Sequence, residues 1–350
     1  MAVLIAGRAL GTPRDPRPQR LRRTAARSRL AVMDEHPAGY GRPARPQVPE
    51  ARAAAGERGI HEFADPEHES GYGPAAAETA LVARAVAGDR TAVGEVVLLL
   101  QDPIYRLALR MVWRPADAED ATQEILLRAV GHLGSWRGEA KLLTWAYRIG
   151  VNYLLNLKRK TAQEERQVSL DAFGEDLRDG LAEVDHRGPE GELLTHEVRL
   201  NCTQAMLQCL AREERIAFVL SDIFALSSAE AAWITDSTPA AYRKRLERAK
   251  KRIGNFLTDS CGLANPQAPC RCSRRVDRAL ELNRIDPRRP AFAAHPVTPG
   301  GRGVAAAAQQ MSTLRDAAAI LGAHPDYAAP QAKMDAITGL IDSGRFPLLS

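Results

Sequence analysis

The chain contains no run of 18 apolar residues, so no membrane-spanning helix is expected. Its opening, Met-Ala-Val-Leu-Ile-Ala-Gly-Arg, holds too short an apolar stretch for a secretory signal, and basic residues follow it rather than precede it. A cytoplasmic location is the expectation. Cysteine is scarce. Five residues, at 202, 209, 261, 270 and 272, do not make an extracellular disulfide framework. No sustained Val/Ile/Thr alternation argues for a sheet, and no internal repeat is evident. The carboxylates Asp117, Asp120 and Glu124 have no metal-binding histidine or nucleophile beside them, so nothing reads as a catalytic centre and no enzyme is expected.

What the chain does have is charge in separated blocks. The 350 residues allow two or three small domains, and the net charge of +5 conceals local extremes. Arg243 to Arg252 holds seven bases and one acid, whereas Thr161 to Val198 holds eleven acids and three bases. The basic block suits a polyanion such as DNA, against the plainer reading of a solvated helix face.

Residues 1–75 are rich in Arg, Pro, Ala and Gly without helical or strand period, and read as disordered. Met33 offers an alternative start, which would make residues 1–32 an upstream extension. Residues 76–160 form a first helical unit, with helices over 77–86, 92–110, 117–132 and 141–160. In the third, Ala118, Ala121, Ile125 and Ala129 line a core side, while Asp117, Asp120 and Glu124 share another. The Gly134-Ser-Trp-Arg-Gly138 segment reads as a loop. Residues 161–198 read as an acidic linker with a short helix at 170–177. Residues 199–257 form a second helical unit, 258–285 a cysteine-bearing segment, and 286–350 a helical extension with helices over 311–321 and 331–341. The fold class is therefore all-α.

Within the second unit, residues 227–252 read as a helix-turn-helix. Ser227 or Ser228 caps a short helix with Glu230 in its first turn, and Asp236-Ser-Thr238 makes the turn. Thr238 caps the next helix and Pro239 takes its first position. Tyr242, Leu246, Ala249, Ile253 and Phe256 recur at four and three, a continuous packing face. Arg243, Lys244, Glu247, Lys250 and Lys251 point away from it, with Arg245 and Arg248 at the flanks. A major groove admits one such helix, arginines near its start reaching base edges and later cations meeting phosphate. An ordinary three-helix bundle is the competing reading.

Trp136, Trp145 and Tyr147 cluster beside Arg137, Lys141 and Arg148. Aromatic rings support unstacked bases while cations hold the backbone, each stacked base contributing about 1–3 kcal/mol. Trp145 reads equally as a core tryptophan, and Trp136, in its Gly-rich loop, as an exposed wedge.

Taken together, Asp117-Ala-Glu-Asp-Ala-Thr-Gln-Glu124, Thr144-Trp-Ala-Tyr-Arg-Ile-Gly-Val-Asn152 and the helix-turn-helix resemble the bacterial RNA polymerase sigma factors of the sigma-70 superfamily, in their small extracytoplasmic-function (ECF) class. The resemblance covers about residues 76–257 apart from the linker. It implies that Asp117, Asp120, Gln123 and Glu124 bind core polymerase through its largest catalytic subunit. It also implies that 134–143 captures a flipped –10 base, with Trp136, Arg137, Lys141, Trp145, Arg148, Asn152, Asn156, Lys158 and Arg159 as –10 contacts. The –35 contacts would be Thr238, Arg243, Lys244, Arg245, Arg248 and Lys251. Promoter DNA and core polymerase are the implied partners, an anti-sigma factor is a further partner class, and no cofactor is required. Leu133 stands where the family has an aromatic, and Lys141-Leu-Leu143 where small or aromatic residues are commoner. These departures bear on promoter specificity rather than fold. The extension beyond the second unit resembles one in a subset of mainly high-GC bacterial sigma-like proteins.

Cys261, Cys270 and Cys272 have C-x8-C-x-C spacing. Three thiolates in such a loop can hold zinc given a fourth ligand, for which His132, His196 or another cysteine are candidates. A redox switch and plain packing are the alternatives. Cys202 and Cys209, seven apart on one helix, read as core residues. The terminal helices are expected to cover the DNA-binding modules or bind a regulator, which makes autoinhibition a hypothesis. The alternatives to an alternative sigma factor are a helix-turn-helix regulator that does not join polymerase, a sigma-like scaffold for protein contacts, and, more distantly, a zinc enzyme. The acidic face and the Trp145 module speak against the first, the intact basic face against the second. A cysteine triplet without a substrate site or general base speaks against the third.

Overall fold

A computed structural model of the chain describes residues 76–157 and 168–343. The expectations for residues 1–75, and for Lys158 and Arg159, lie outside the described residues. The described residues are mainly helical. Among them the only β-type pairings are two isolated bridges, Cys261 with Cys270 and Val297 with Tyr327.

The first four helices are α1 (Ala76–Val86), α2 (Arg90–Val112), α3 (Pro115–Gly131) and α4 (Leu142–Leu155). Asp89 starts α2 by accepting the Ala92 N–H at 3.2 Å, satisfying one of the donors left over in the first turn. Val93, Val96, Val97, Leu100, Ile104, Leu107 and Met111 then recur at three and four and are all buried. Each contributes about 1.5–3 kcal/mol of apolar burial. Gly150 lets α4 approach α2 and α3. A Cβ there would lie 3.3 Å from Leu107 and 3.4 Å from Ile125. α4 ends at Leu155, earlier than the expected Lys160, because the Asn156 side chain turns back to the Asn152 carbonyl at 2.7 Å.

The second set comprises α5 (Leu170–Arg178), α6 (Gly188–Gln208), α7 (Arg212–Phe218), α8 (Ser228–Ile234) and α9 (Pro239–Ser260), with a π-turn at Val219–Ile223. α5 matches the short helix expected in the linker and stacks Phe173 on Phe256 of α9, centroids 5.7 Å apart. The helix α6 is a correction: it starts at Gly188, inside the stretch read as linker. It packs against α2, α7 and the later C-terminal elements, so polar residues Glu197, Thr203, Gln204 and Gln208 are buried along with its apolar ones. No one-sided stripe marks it in the sequence.

Arg215 of α7 joins the two sets. Fully buried, it donates to the carbonyls of Met111, Leu207 (2.9 Å), Gln208 (3.2 Å) and Leu210 (3.1 Å). These lie at the C-termini of α2 and α6, where helix carbonyls lack intrahelical partners and carry negative partial charge. Beside it Gln204 bridges Arg110 Nη1 (3.0 Å) and the Leu109 carbonyl, and Trp113 Nε1 donates to Asn201 Oδ1 at 3.1 Å. All described residues belong to one compact unit, Glu67–Ser350.

The C-terminal part holds α10 (Val276–Glu281), α11 (Val304–Thr313), α12 (Ala317–Gly322) and α13 (Gln331–Asp342). The single helix expected over 311–321 is two, because Asp316 leaves helical conformation to cap α12, accepting from Ala319 N at 3.0 Å. Glu197 ties this part to α6: its buried carboxylate accepts from the backbone N–H groups of Ala291 (2.9 Å), Phe292 (3.0 Å) and Ala293 (2.7 Å). α13 lies against α2 and α3, and α12 against the π-turn and α9.

Candidate functional site

The acidic face of α3 forms as the spacing predicts, but its carboxylates are engaged. Asp117 faces Arg114 at 3.8 Å, Glu124 holds Arg128 at 2.7 Å, and Asp120 holds Lys333 of α13 at 2.8 Å. Gln123 lies half-buried on the same helix.

The loop before α4 is pinned rather than open. Trp136, expected as an exposed wedge, is half-buried, and its Nε1 donates to Ala140 O at 3.0 Å within the same loop. Arg137 and Lys141 stay exposed. Glu78 of α1 accepts the Leu142 N–H at 3.3 Å and so caps α4 from another helix. Trp145 is half-buried against the core, consistent with its packing reading, while Tyr147 is buried and stacks on Phe224 with centroids 5.6 Å apart. Asn152 and Asn156 are exposed and line a groove with Arg128, His132, Ile149 and Tyr153. The Arg128 guanidinium sits 4.8 Å from the centre of the Tyr153 ring. Arg128 and Tyr153 were not among the sequence candidates, and His132 was one only as a zinc ligand. The signal available was the spacing of Arg128 and His132 on one side of α3.

Arg148, a –10 candidate, is engaged within the protein. It reaches across to α8, donating to the Trp233 carbonyl (2.6 Å) and Asp236 (2.9 Å) with its guanidinium 4.7 Å from the Trp233 ring centre. In this arrangement it joins the two helical units.

The helix-turn-helix forms as read. Ser227 and Glu230 make a reciprocal capping box, and Thr238 caps α9 through Ala241 N at 3.2 Å with Pro239 following. Asp236 takes positive φ (49°) in the turn, which a short polar side chain tolerates. Tyr242, Ala249, Ile253 and Phe256 are buried, and Leu246 is half-buried. The cations divide into two groups. Arg248 and Arg252 both hold Glu214 of α7, at 3.2 and 2.7 Å, and Lys250 holds Asp222 at 3.0 Å. Arg243, Lys244 and Lys251 are exposed and make no ion pair among the described residues, and Arg245 is half-buried.

The cysteines are also redistributed. Cys202 of α6, expected in the core with Cys209, lines a cavity of about 160 Å³ together with Cys261, Cys270 and Cys272. Burial, reinforced by neighbouring thiols, pushes Cys261 up to about 11 and Cys270 up to about 12, and Cys202 well above the usual thiol range. Cys209 is raised to about 11 by burial alone among these causes, with Arg215 and Arg252 opposing.

The sigma-70 region 2 model matches residues 96–164 and the sigma-70 region 4 model residues 200–253. The chain is 31% identical over 167 residues to the RNA polymerase sigma-H factor of Pseudomonas aeruginosa, covering 46% of this chain and 84% of that protein. The chain belongs to the sigma-70 family. With the ECF RNA polymerase sigma-E factor of Escherichia coli it shares 30% identity over 161 residues, covering 46% of this chain and 83% of that protein. This sigma factor is accordingly a non-enzymatic initiation factor of the ECF type, with core polymerase and promoter DNA as its partners. A solved complex of the sigma factor RpoE with the anti-sigma factor NepR from Bartonella quintana matches at 20% identity and TM-score 0.32, over 46% of this chain and 94% of that one. No helix among the described residues is long and apolar enough to cross a membrane. Both family matches end before Cys261, so the cysteine loop and α10–α13 are additions to the matched regions.

Proposed function

We propose that this ECF sigma factor acts in the cytoplasm and joins core polymerase through the α3 face of Asp117, Asp120, Gln123 and Glu124. The loop 134–143 and the exposed side of α4, with Arg137, Lys141, Asn152 and Asn156, hold the separated –10 strand. The first turns of α9 read the –35 duplex. The groove of Arg128, His132 and Tyr153 beside Asn152 extends the –10 surface, supplying an aromatic ring and a cation for an unstacked base.

The observation that carries the reading is the division of cations on α9. Those of its first turns, Arg243 and Lys244, are exposed and have no ion-pair partner among the described residues, as a groove-inserted helix end requires. Those facing α7 are neutralised by Glu214 and Asp222. Arg148 bound to Asp236 and Lys333 bound to Asp120 further support a closed resting form, in which promoter and polymerase compete with internal contacts.

The test is reconstitution with core polymerase on a library of promoter fragments, scoring heparin-resistant open complexes. Selective open complexes dependent on both elements support the reading. Duplex binding with no entry into polymerase would favour a stand-alone helix-turn-helix regulator.

A further inference from the structure

The chain's own last described helix sits on the acidic face of α3. α13 lies against α2 and α3 and buries Met334, Ile337 and Ile341, spaced three and four apart, in the common core. Lys333 reaches Asp120 at 2.8 Å. Its charge also opposes the burial that raises the pKa of the neighbouring Glu119, so the ammonium faces two adjacent carboxylates. A helix with its side chains is about 10–12 Å across. A protein that takes Asp120 therefore meets the body of α13 as well as Lys333.

α13 is held by this packing face and by little else. It has 12 residues, and helices shorter than about 12–15 residues are marginal in water on their own. No side chain caps its first turn. Gly339 weakens it further. A Cβ there would meet nothing within 4 Å, so neither packing nor a close backbone approach calls for glycine. At such a helical position glycine only lowers helix stability. The helix thus persists while docked and melts once lifted.

The segment before it is fastened separately. Asp102 of α2 accepts from Thr298 Oγ1 at 2.8 Å and from the Ala329 N–H at 2.9 Å, and Tyr327 is buried beside them. The chain is fixed as far as Ala329, and Pro330 begins the part that can leave.

We propose that α13 is a displaceable strap over the polymerase-binding face, docked in the free protein and released as an unfolded tail when core polymerase takes α3. That role rests on the α3 contact proposed above and gives the contact its regulation. The apparent affinity for polymerase is set by the fraction of molecules in which α13 is lifted. The Lys333 pair, being exposed, supplies register, and the apolar stripe supplies strength.

The full-length chain carries the test. Affinity for core polymerase is measured by competition against a labelled reference sigma factor, and hydrogen exchange of residues 331–341 is followed in the free protein and in the complex. These amides should be protected in the free protein and lose protection in the complex, while α2 keeps its own. Gly339→Ala, which stiffens α13 without touching α3, should weaken polymerase binding about two- to fivefold. Ile337→Asp, which breaks the stripe, should unprotect 331–341 in the free protein and tighten binding about tenfold. Should Ile337→Asp misfold, Gly339→Ala and the wild-type exchange pattern still decide. Glu124→Arg separates the strap from the contact beneath it: binding lost in Glu124→Arg but unmoved by Gly339→Ala keeps the α3 contact and discards the strap. Binding unchanged in Glu124→Arg discards both. Protection of 331–341 retained in the polymerase complex would likewise overturn the proposal.

Discussion

Lys333 Nζ lies 2.8 Å from Asp120 Oδ1, joining residues 213 positions apart and placing the last described helix on the acidic face of α3. The same carboxylate is a proposed contact for core polymerase. On that proposal, tail and polymerase compete for it.

Lys333→Glu should release this contact and add repulsion. Exposed ion pairs are individually weak, so the expected gain in core-polymerase affinity is modest, about two- to fivefold. Competition binding against a labelled reference sigma factor measures it. Weaker binding by the variant would mean that Lys333 itself helps hold polymerase.

Arg243→Ala with Lys244→Ala should weaken binding to –35-containing duplex at fixed salt. The dependence of log K on log salt should also flatten, by about 0.9 for each phosphate that is no longer neutralised. Arg252→Ala should leave that slope unchanged, because its charge is held by Glu214. Titrations at several salt concentrations separate the two. An equal change in slope for both variants would contradict the division of cations on α9.

Arg215→Met removes the donors that serve the carbonyls closing α2 and α6. Leaving a buried carbonyl without its donor costs about 1–3 kcal/mol, so losing several donors together costs about 3–5 kcal/mol. At about 2–4 °C per kcal/mol for a unit of this size, the melting temperature should fall by about 10 °C. Calorimetry checks it, with Arg243→Met as the surface comparison expected to change little. A drop no larger than that of Arg243→Met would show that the two helix ends are joined by other contacts.

Acid should loosen the extension. His324 is fully enclosed, bonded to Thr203 Oγ1 at 2.7 Å, and burial with the nearby Arg110 and Arg302 guanidiniums holds its pKa well below the usual histidine value. His295, stacked on Tyr105, is shifted the same way by burial. A histidine kept neutral in the fold binds its proton only when unfolded. Its stabilisation is thus present above about pH 6.5 and lost as pH falls below it, by about 1.4 kcal/mol per unit per group. Melting curves at pH 7 and pH 5 should differ, and His324→Leu should reduce the difference. An identical acid shift in that variant would place the sensitive group elsewhere.

The helix-turn-helix was legible because its signals are local. Ser227 meets Glu230 three residues on, Thr238 precedes Pro239, and the buried side of α9 repeats at three and four. The acidic and apolar sides of α3 were legible for the same reason. The start of α6 was not, because a helix packed on several sides buries Glu197 and Gln204 as well as leucines and shows no stripe. Nor was the fate of Arg148, whose side chain satisfies Asp236 and the Trp233 carbonyl 85 residues away instead of projecting from α4.

By itself the sequence determined most of the helices and their local caps, the acidic and basic faces and the family, since each depends on residues within a turn or two of one another. Only the tertiary structure decided which charges remain free, which helix Asp120 answers to, and that Cys202 shares a cavity with Cys261, Cys270 and Cys272. Those outcomes depend on side chains brought together by burial of distant surfaces, and linear spacing carries no record of them.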